Sequence, residues 1–235
     1  MKPSLILIPT TLGSLESVNK VIPDYNLKIT YGIKVFIVEQ IRTARRFLKK
    51  IKHPIPIDDM TFYELNKHTD QGQVFSYLSA INNGESIGLI SEAGTPCIAD
   101  PGAAIVKIAH EENIDIIPLV GPNSIIMALM TSGFNGQNFS FLGYLPVDKT
   151  QRSRSIQQIE SAVYKNNQTQ IFIETPYRNM QLFESLLKSC KNNTLLCIAC
   201  NISLEDEFIK TKSIQDWKKE KVSINKKPTV FLLYR

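Results

Sequence analysis

Residues 91–102 read Ser91-Glu92-Ala93-Gly94-Thr95-Pro96-Cys97-Ile98-Ala99-Asp100-Pro101-Gly102, with two glycines and two prolines. A segment of that composition is bent and partly rigid, and it turns backbone amides and carbonyls outward where a small ligand can use them. A long structural turn is the plainer alternative. Glu39 and Arg42 stand three apart at a predicted strand-to-helix junction. That spacing suits a helix-start carboxylate with a solvated base, or a functional pair. Glu174-Thr175-Pro176-Tyr177-Arg178 closes another predicted strand, with Pro176 suited to the first turn of a helix. Arg178 can hold an anionic substrate or pair with a surface acid, and both readings stay open.

Other chemistries find no support. No G-x-G pair follows the first apolar run, so the dinucleotide fingerprint is missing, and neither a P-loop nor a G-x-S-x-G elbow occurs. Cys197-x-x-Cys200 lies inside the apolar run 195–200. Side chains three apart on a strand point to opposite faces, so the pair reads as core cysteines and not as a metal or redox site. His53, His68 and His110 lack metal-ligand spacing and read as surface or capping residues.

These groups need elements to position them. Candidate strands fall at 4–8, 34–38, 60–63, 86–90 and 114–117, and between them apolar residues recur at helical spacing, as in Ile41, Ala44, Leu48 and Ile51. Alternating strands and helices predict a doubly wound, mostly parallel sheet. Pro118, Gly121 and Pro122 interrupt the apolar run that ends the fifth strand and mark a domain boundary, giving domains at 1–118 and 123–235. The second half has predicted helices near 123–131, 156–163 and 177–187. Its predicted strands lie near 139–142, 170–174, 195–199, 207–210 and 229–234. The last strands follow one another closely, which predicts a mixed sheet. The fold class is therefore α/β, with two α/β domains. Ligands of an open parallel sheet bind outside the carboxyl ends of its strands. That places residues 9–14, 39–42, 64–66, 91–102 and 121–124 around one crevice.

The chain of 235 residues carries 27 basic and 22 acidic side chains, a net charge of +5, and is 43% hydrophobic. This composition excludes a disordered, collagen-like or disulfide-stapled chain. No window supplies the roughly 20 apolar residues of a membrane span, and the apolar run 5–8 is too short for a signal peptide, so no membrane partner and a cytoplasmic location are expected. Four cysteines in such a chain are expected as reduced thiols.

The loop 91–102 also carries a resemblance. With Gly121-Pro122, Ser132-Gly133, the segment 139–146 and Ile173-Glu174-Thr175-Pro176-Tyr177-Arg178 following in order, the chain resembles the tetrapyrrole methylase superfamily, and within it the small-subunit ribosomal RNA 2′-O-cytidine methyltransferase branch. The resemblance implies an S-adenosyl-L-methionine-dependent methyltransferase that uses no metal, with two α/β domains, the cofactor in the cleft between them, and a homodimer. It implies that Ala93, Gly94, Thr95 and Ile98 wrap the cofactor, that Asn123 and Ser124 add to it, and that Glu174 and Ile202 contribute from the second domain. Thr11 takes the place of a first-loop proline. Where that branch reads T-P-I-G-N, E-D-T-R, Y-H-E-H-N and A-R-E-L-T-K, this chain has Thr10-Thr11-Leu12-Gly13-Ser14, Glu39-Gln40-Ile41-Arg42, Phe62-Tyr63-Glu64-Leu65-Asn66 and Ala199-Cys200-Asn201-Ile202-Ser203-Leu204. Cofactor-side features thus survive better than substrate-side ones.

Methyl transfer from a sulfonium is an in-line displacement that rewards positioning and exclusion of water. A ribose hydroxyl acceptor must lose its proton, for which Glu39 or Glu64 can serve as base and Arg42 or Arg178 can hold a phosphate or stabilise charge. Arg42, Arg45, Arg46, Lys49 and Lys50 line a predicted helix, and Lys149, Arg152 and Arg154 are expected in one loop after Pro146. Such cations position ribosomal RNA, or a whole small ribosomal subunit, through its phosphates, or else form a solvated surface. Two rivals remain: a methylase of a small molecule such as a tetrapyrrole, and a protein that binds S-adenosylmethionine without catalysis.

Overall fold

The computed structural model describes residues 2–66, 69 and 71–235, with Gln71 described by its backbone alone. The chain divides into two compact units, Met1–Asn123 and Ser124–Arg235.

The first unit is built on β1 (Ser4–Ile8), β2 (Val35–Val38), β3 (Thr61–Glu64), β4 (Ile87–Ile90) and β5 (Asp115–Pro118). They form one sheet in the order β3-β2-β4-β1-β5, and every neighbouring pair is parallel. The four-residue cores of β2 and β4 are buried throughout, as expected of strands covered on both faces. Alternate residues divide between two cores. Ile6, Ile8, Phe36, Val38 and Ile90 face one layer, which includes Val18 of α1 (Val18–Val21) and Ala44, Phe47 and Leu48 of α3 (Ile41–Lys50). On the same side, α2 (Asp24–Thr30) contributes Leu27 and Ile29. Leu5, Val35, Ile37, Ile87 and Leu89 face the other layer, with Ile105, Ile108 and Ala109 of α6 (Ala103–Glu111). Between β3 and β4, Val74, Tyr77, Leu78 and Ile81 recur at helical spacing, yet the segment is broken into α4 (Gln71–Val74), a 3-10 turn Phe75–Leu78 and α5 (Ser79–Asn82), and it packs on that second face.

This arrangement sets the switch point. From β1 the chain moves toward β2 and β3, and from β4 it crosses back to β5, so adjacent strands β1 and β4 send their connections to opposite faces. A crevice opens at the carboxyl ends of such a pair.

The second unit holds α7 (Ser124–Ser132), β6 (Phe139–Tyr144), α8 (Lys149–Asn166), β7 (Thr169–Ile173), α9 (Asn179–Ser189), β8 (Leu195–Cys200), β9 (Phe208–Ser213), α10 (Ile214–Trp217) and β10 (Thr229–Tyr234). Its sheet order is β6-β7-β10-β8-β9. β6 and β7 are parallel, and the other pairs antiparallel. Ile156, Ile159 and Val163 of α8, Leu182, Phe183 and Leu186 of α9, and Trp217 cover one face, while α7 packs against β8, β9 and β10. Cys197 and Cys200 are both buried, and only Cys200 joins the α8–α9 core, as the alternation of a strand requires. The expected loop holding Lys149, Arg152 and Arg154 is instead the first turns of α8, where Asp148 Oδ1 accepts from the Gln151 amide at 2.8 Å.

No helix among the described residues is long and apolar enough to cross a membrane. No group of three or more His, Cys, Asp or Glu side chains among them is arranged to hold a metal. His53 is a capping residue, its Nε2 lying 2.9 Å from the Thr30 carbonyl. His68 lies outside the described residues.

Candidate active site

The carboxyl ends of β1 and β4 are level, Ile8 facing Ile90. The two loops that leave them interlock. The Thr10 amide donates to the Gly94 carbonyl at 3.0 Å and the Gly94 amide to the Thr11 carbonyl at 3.3 Å. The Thr10 hydroxyl donates to the Ser91 carbonyl at 3.1 Å, and the Ser91 hydroxyl donates to the Gly94 carbonyl. Thr10, Thr11 and Ser91 are all buried, so these partners are obligatory.

The segment after β5 is drawn into the same place. The Leu119 amide donates to the Leu7 carbonyl at 3.0 Å, Asn26 Nδ2 to the Val120 carbonyl at 2.6 Å, and Asn123 Nδ2 to the Thr95 hydroxyl at 2.6 Å. Gly94 has φ +70°, and a Cβ there would stand 2.8 Å from the Pro122 carbonyl oxygen. Only glycine satisfies both demands.

Beyond Gly94 the loop folds around Asp100, whose Oδ1 accepts the amides of Cys97 and Gly102, both at 2.8 Å. Cys97 and Ala99 are left-handed, at φ 67° and 60°. Such backbone costs free energy and persists where its surroundings enforce it. Between them Ile98 is held 48% exposed, an apolar side chain half open to solvent.

The titratable groups are coupled. Partial burial, then the charges of Glu92 and Asp100, raise the Glu39 carboxyl above its usual value. Burial raises Asp100 too, against the lowering effect of its bonds to Gly102 and Cys97. Burial and the neighbouring Asp100 push the Cys97 thiol up to about 11, so it stays protonated and is a poor nucleophile. Glu64 ends β3, level with Val38 on β2, so Glu39 and Glu64 stand on neighbouring strand ends. No ion pair joins Glu39 to Arg42, and Arg42 has no charged partner among the described residues. Beside these groups a cavity of about 200 Å³ is walled by Thr10, Thr11, Ser91 and Glu92 on one side and Thr43, Arg46 and Phe47 on the other. Thr43 donates to Glu92 Oε1 at 2.5 Å, joining α3 to the β4 loop.

In the second unit, Ile173 of β7 and Ala199 of β8 both face Val230 of β10. The carboxyl ends of β7 and β8 therefore stand on either side of the start of β10, about 10 Å apart. Glu174 follows the first and Ile202 the second. Glu174 is 4% exposed, and its Oε1 accepts from Arg178 Nη2 and from the Thr175 amide, each at 2.6 Å. Its Oε2 is buried without a hydrogen-bond partner. Arg178 is thus the counter-ion of Glu174, which raises the pKa of its guanidinium. Ile202 is buried, in a turn where Asn201 and Ser203 are left-handed.

The sequence places Thr10 and Ser91 at the crevice and Arg46 among the cations of α3, but gives none of them a part in the interlock or the cavity wall, and it gives no sign of Asn179. Asn179 is fully buried, and its Nδ2 donates to the carbonyls of Ile224 and Lys227 and to the Thr229 hydroxyl, pinning the loop before β10.

No family model matches the chain. Along 97% of its length it is 33% identical to the protein named ribosomal RNA small subunit methyltransferase I of Buchnera aphidicola subsp. Schizaphis graminum, 77% of which it spans. The chain belongs to the ribosomal RNA small subunit methyltransferase I family. That family is a branch of the tetrapyrrole methylases, which use S-adenosyl-L-methionine. The methyltransferase is also 25% identical to the Thermotoga maritima protein of that name, over 88% of this chain and 87% of that one. It is 30% identical to the Vibrio cholerae protein of that name, spanning 79% of this chain and 60% of that one. Among solved structures, the methyltransferase CobJ matches 99% of this chain and 94% of its own, with a TM-score of 0.65 at 12% identity. The cobalt precorrin-4 methyltransferase CbiF gives a TM-score of 0.61 at 13% identity, over 98% of this chain and 94% of that one. At such identities the likeness is one of fold.

Each unit, taken by itself, carries a feature that suits part of the family's cofactor: in the first, Ile98 is a half-exposed apolar side chain on the loop 91–102, and in the second, Glu174 Oε2 is a buried acceptor without a hydrogen-bond partner.

Proposed function

We propose that this methyltransferase acts on small-subunit ribosomal RNA, methylating the ribose 2′-oxygen of a cytidine. The observation that carries the reading is the interlock of Thr10, Ser91 and Gly94 at the carboxyl ends of β1 and β4, in a chain of this family. Thr11, Ala93, Gly94, Thr95, Ile98 and Asn123 in the first unit, and Ser124, Glu174 and Ile202 in the second, would hold S-adenosylmethionine. When bound, that cofactor supplies a sulfonium-activated methyl carbon.

The chain's own residues have three tasks. The loop 91–102 orients the donor through backbone groups that are fixed before binding, so little ordering entropy is lost. Glu39 takes the proton from the acceptor hydroxyl. Its raised pKa brings it nearer to the operating pH than an ordinary carboxylate, and that makes it a better base. Glu64, on the neighbouring strand end, is the second candidate. Arg42, without a charged partner among the described residues, faces the acceptor's phosphate. Arg178 acts through Glu174 as a positioning residue.

We also infer a homodimer. Phe139, Leu142 and Tyr144 leave 38%, 39% and 58% of their surface uncovered along the edge strand β6, and exposed apolar edges favour pairing. Light scattering at micromolar concentration tests this, a monomer being the contrary result.

The decisive assay is transfer of a tritiated methyl group to small ribosomal subunits from cells lacking the modification, run beside tetrapyrrole acceptors. Label in the RNA, resistant to alkali at one cytidine, is the expected result. Label in the tetrapyrrole alone, or donor binding without transfer, overturns the reading in favour of the corresponding rival.

A further inference from the structure

Helix α3 carries Arg42, Arg45, Arg46, Lys49 and Lys50 in ten residues. Its inner face is Ala44, Phe47 and Leu48, all buried in the first core. Positions 42, 46 and 49 follow the i, i+4, i+7 spacing that keeps side chains on one stripe, and that stripe lies opposite the buried one.

The partners of the five cations differ. Lys50 bonds Glu16 Oε2 at 2.5 Å. Arg45 lies 3.6 Å from Asp58 and stacks over Phe62 at 5.6 Å. Arg42, Arg46 and Lys49 are exposed and have no ion pair among the described residues. Three unneutralised cations therefore stand in a row about 10 Å long on a rigid helix. Keeping them together costs repulsion, which a polyanion relieves.

The position of the row matters as much as its charge. Arg46 belongs both to this stripe and to the wall of the cavity that also contains Thr10, Thr11 and Ser91. A backbone laid along the stripe leads straight to the switch point.

We propose that the outer face of α3, through Arg42, Arg46 and Lys49, is the track that holds the phosphodiester backbone of the acceptor RNA beside the methyl-transfer site. The inference rests on the RNA-methylating reading above and names the surface by which that substrate docks. The contacts are to phosphates, so they set register and supply affinity without reading bases.

The test is the double variant Arg46→Glu/Lys49→Glu in the full chain, beside Lys165→Glu/Lys188→Glu as a control with the same change in net charge. Binding to deproteinised small-subunit ribosomal RNA is measured across a salt series, and to vesicles of anionic phospholipid in parallel. Donor binding by calorimetry and the circular dichroism spectrum report whether each variant is folded. The α3 variant is expected to bind RNA at least tenfold more weakly. Its plot of log affinity against log salt should flatten by about 1.4, the loss of two phosphate contacts at roughly 0.7 each on a single strand. The control should match the wild type. Equal RNA affinity and slope in the α3 variant overturn the proposal, as does an equal loss in the control, or a loss confined to vesicles. A wild-type chain that binds RNA through this face but transfers no methyl group to subunits refutes the proposed reaction and leaves the track standing.

Discussion

Pro9 and Gly121 touch so closely that a Cβ on Gly121 would lie 2.3 Å from two carbons of the proline ring. The contact joins the loop after β1 to the segment after β5, two stretches far apart in the chain that flank the candidate cofactor loop. Gly121→Ala must push one of them aside. Over-packing of this kind costs about 1–3 kcal/mol, and the displaced segment carries Pro122, whose carbonyl meets Gly94. Urea unfolding should show that loss, and calorimetry should show donor affinity falling at least tenfold. Unchanged affinity would mean that Gly121 and Pro9 are a structural contact only.

Arg152 corrects an expectation. Its charge and its neighbours Lys149 and Arg154 suggest an RNA contact, yet the side chain is 5% exposed. Arg152 Nε donates to the Ser185 hydroxyl at 3.1 Å and its Nη1 to the Val147 carbonyl at 3.0 Å. Arg152→Glu therefore buries an acid against groups arranged for a cation, and should destabilise the second unit by about 3 kcal/mol or more. Arg154→Glu, on the exposed side, should cost little. The informative measurement is the thermal midpoint of both variants; an Arg152→Glu midpoint equal to that of the wild type would contradict the buried role.

The contrast between Arg152 and Ile156 shows what was legible from the chain alone. Ile156 and Val163 mark the later turns of α8 by apolar spacing. The first turns read Lys-Thr-Gln-Arg-Ser-Arg-Ser, so an arginine occupies the inward position where the pattern looks for an apolar residue. The Asp148 cap, with Gln151 three residues on, was the available signal for the helix start. The strands were readable because runs such as Val35–Val38 are buried on both faces. β9 extends to Ser213, beyond its apolar start, because backbone pairing to Leu195 and Leu196 continues regardless of side chain. The loop 91–102 announced itself by its glycines and prolines. The bonds of Thr10 to Ser91 and Gly94 did not, because they depend on β1 lying beside β4 across some eighty residues of sequence.

The four thiols should be slow to react. Burial, with the charge of Glu160, pushes Cys190 up to about 12; Cys97 stands near 11, and burial also raises Cys197 and Cys200. Thiolate is the reactive form. At pH 8 an aromatic disulfide reagent should modify fewer than one thiol rapidly in the native chain and all four after denaturation. Rapid native labelling at Cys97 would show that the loop around Asp100 opens readily.

Glu39 gives the pH dependence a sign. Its folded pKa lies above the usual 4.5 because of burial and then of Glu92 and Asp100, so in the carboxylate range the folded state holds more protons than the unfolded one. Stability then falls as pH rises from the unfolded value through the folded value, and the penalty is complete above it. Glu39→Gln removes that penalty. The variant should be slightly more stable than the wild type at pH 7, with the difference vanishing as pH is lowered below 4, and solvent screening keeps the gain small because the residue is exposed. Its methyl transfer should fall by 10²-fold or more if Glu39 takes the acceptor proton, with donor affinity unchanged. Paired urea titrations at pH 7 and pH 3.5, with single-turnover transfer at pH 7, separate the two effects. A gain in stability without loss of transfer would leave Glu39 as a crowded surface acid and move the role of base to Glu64.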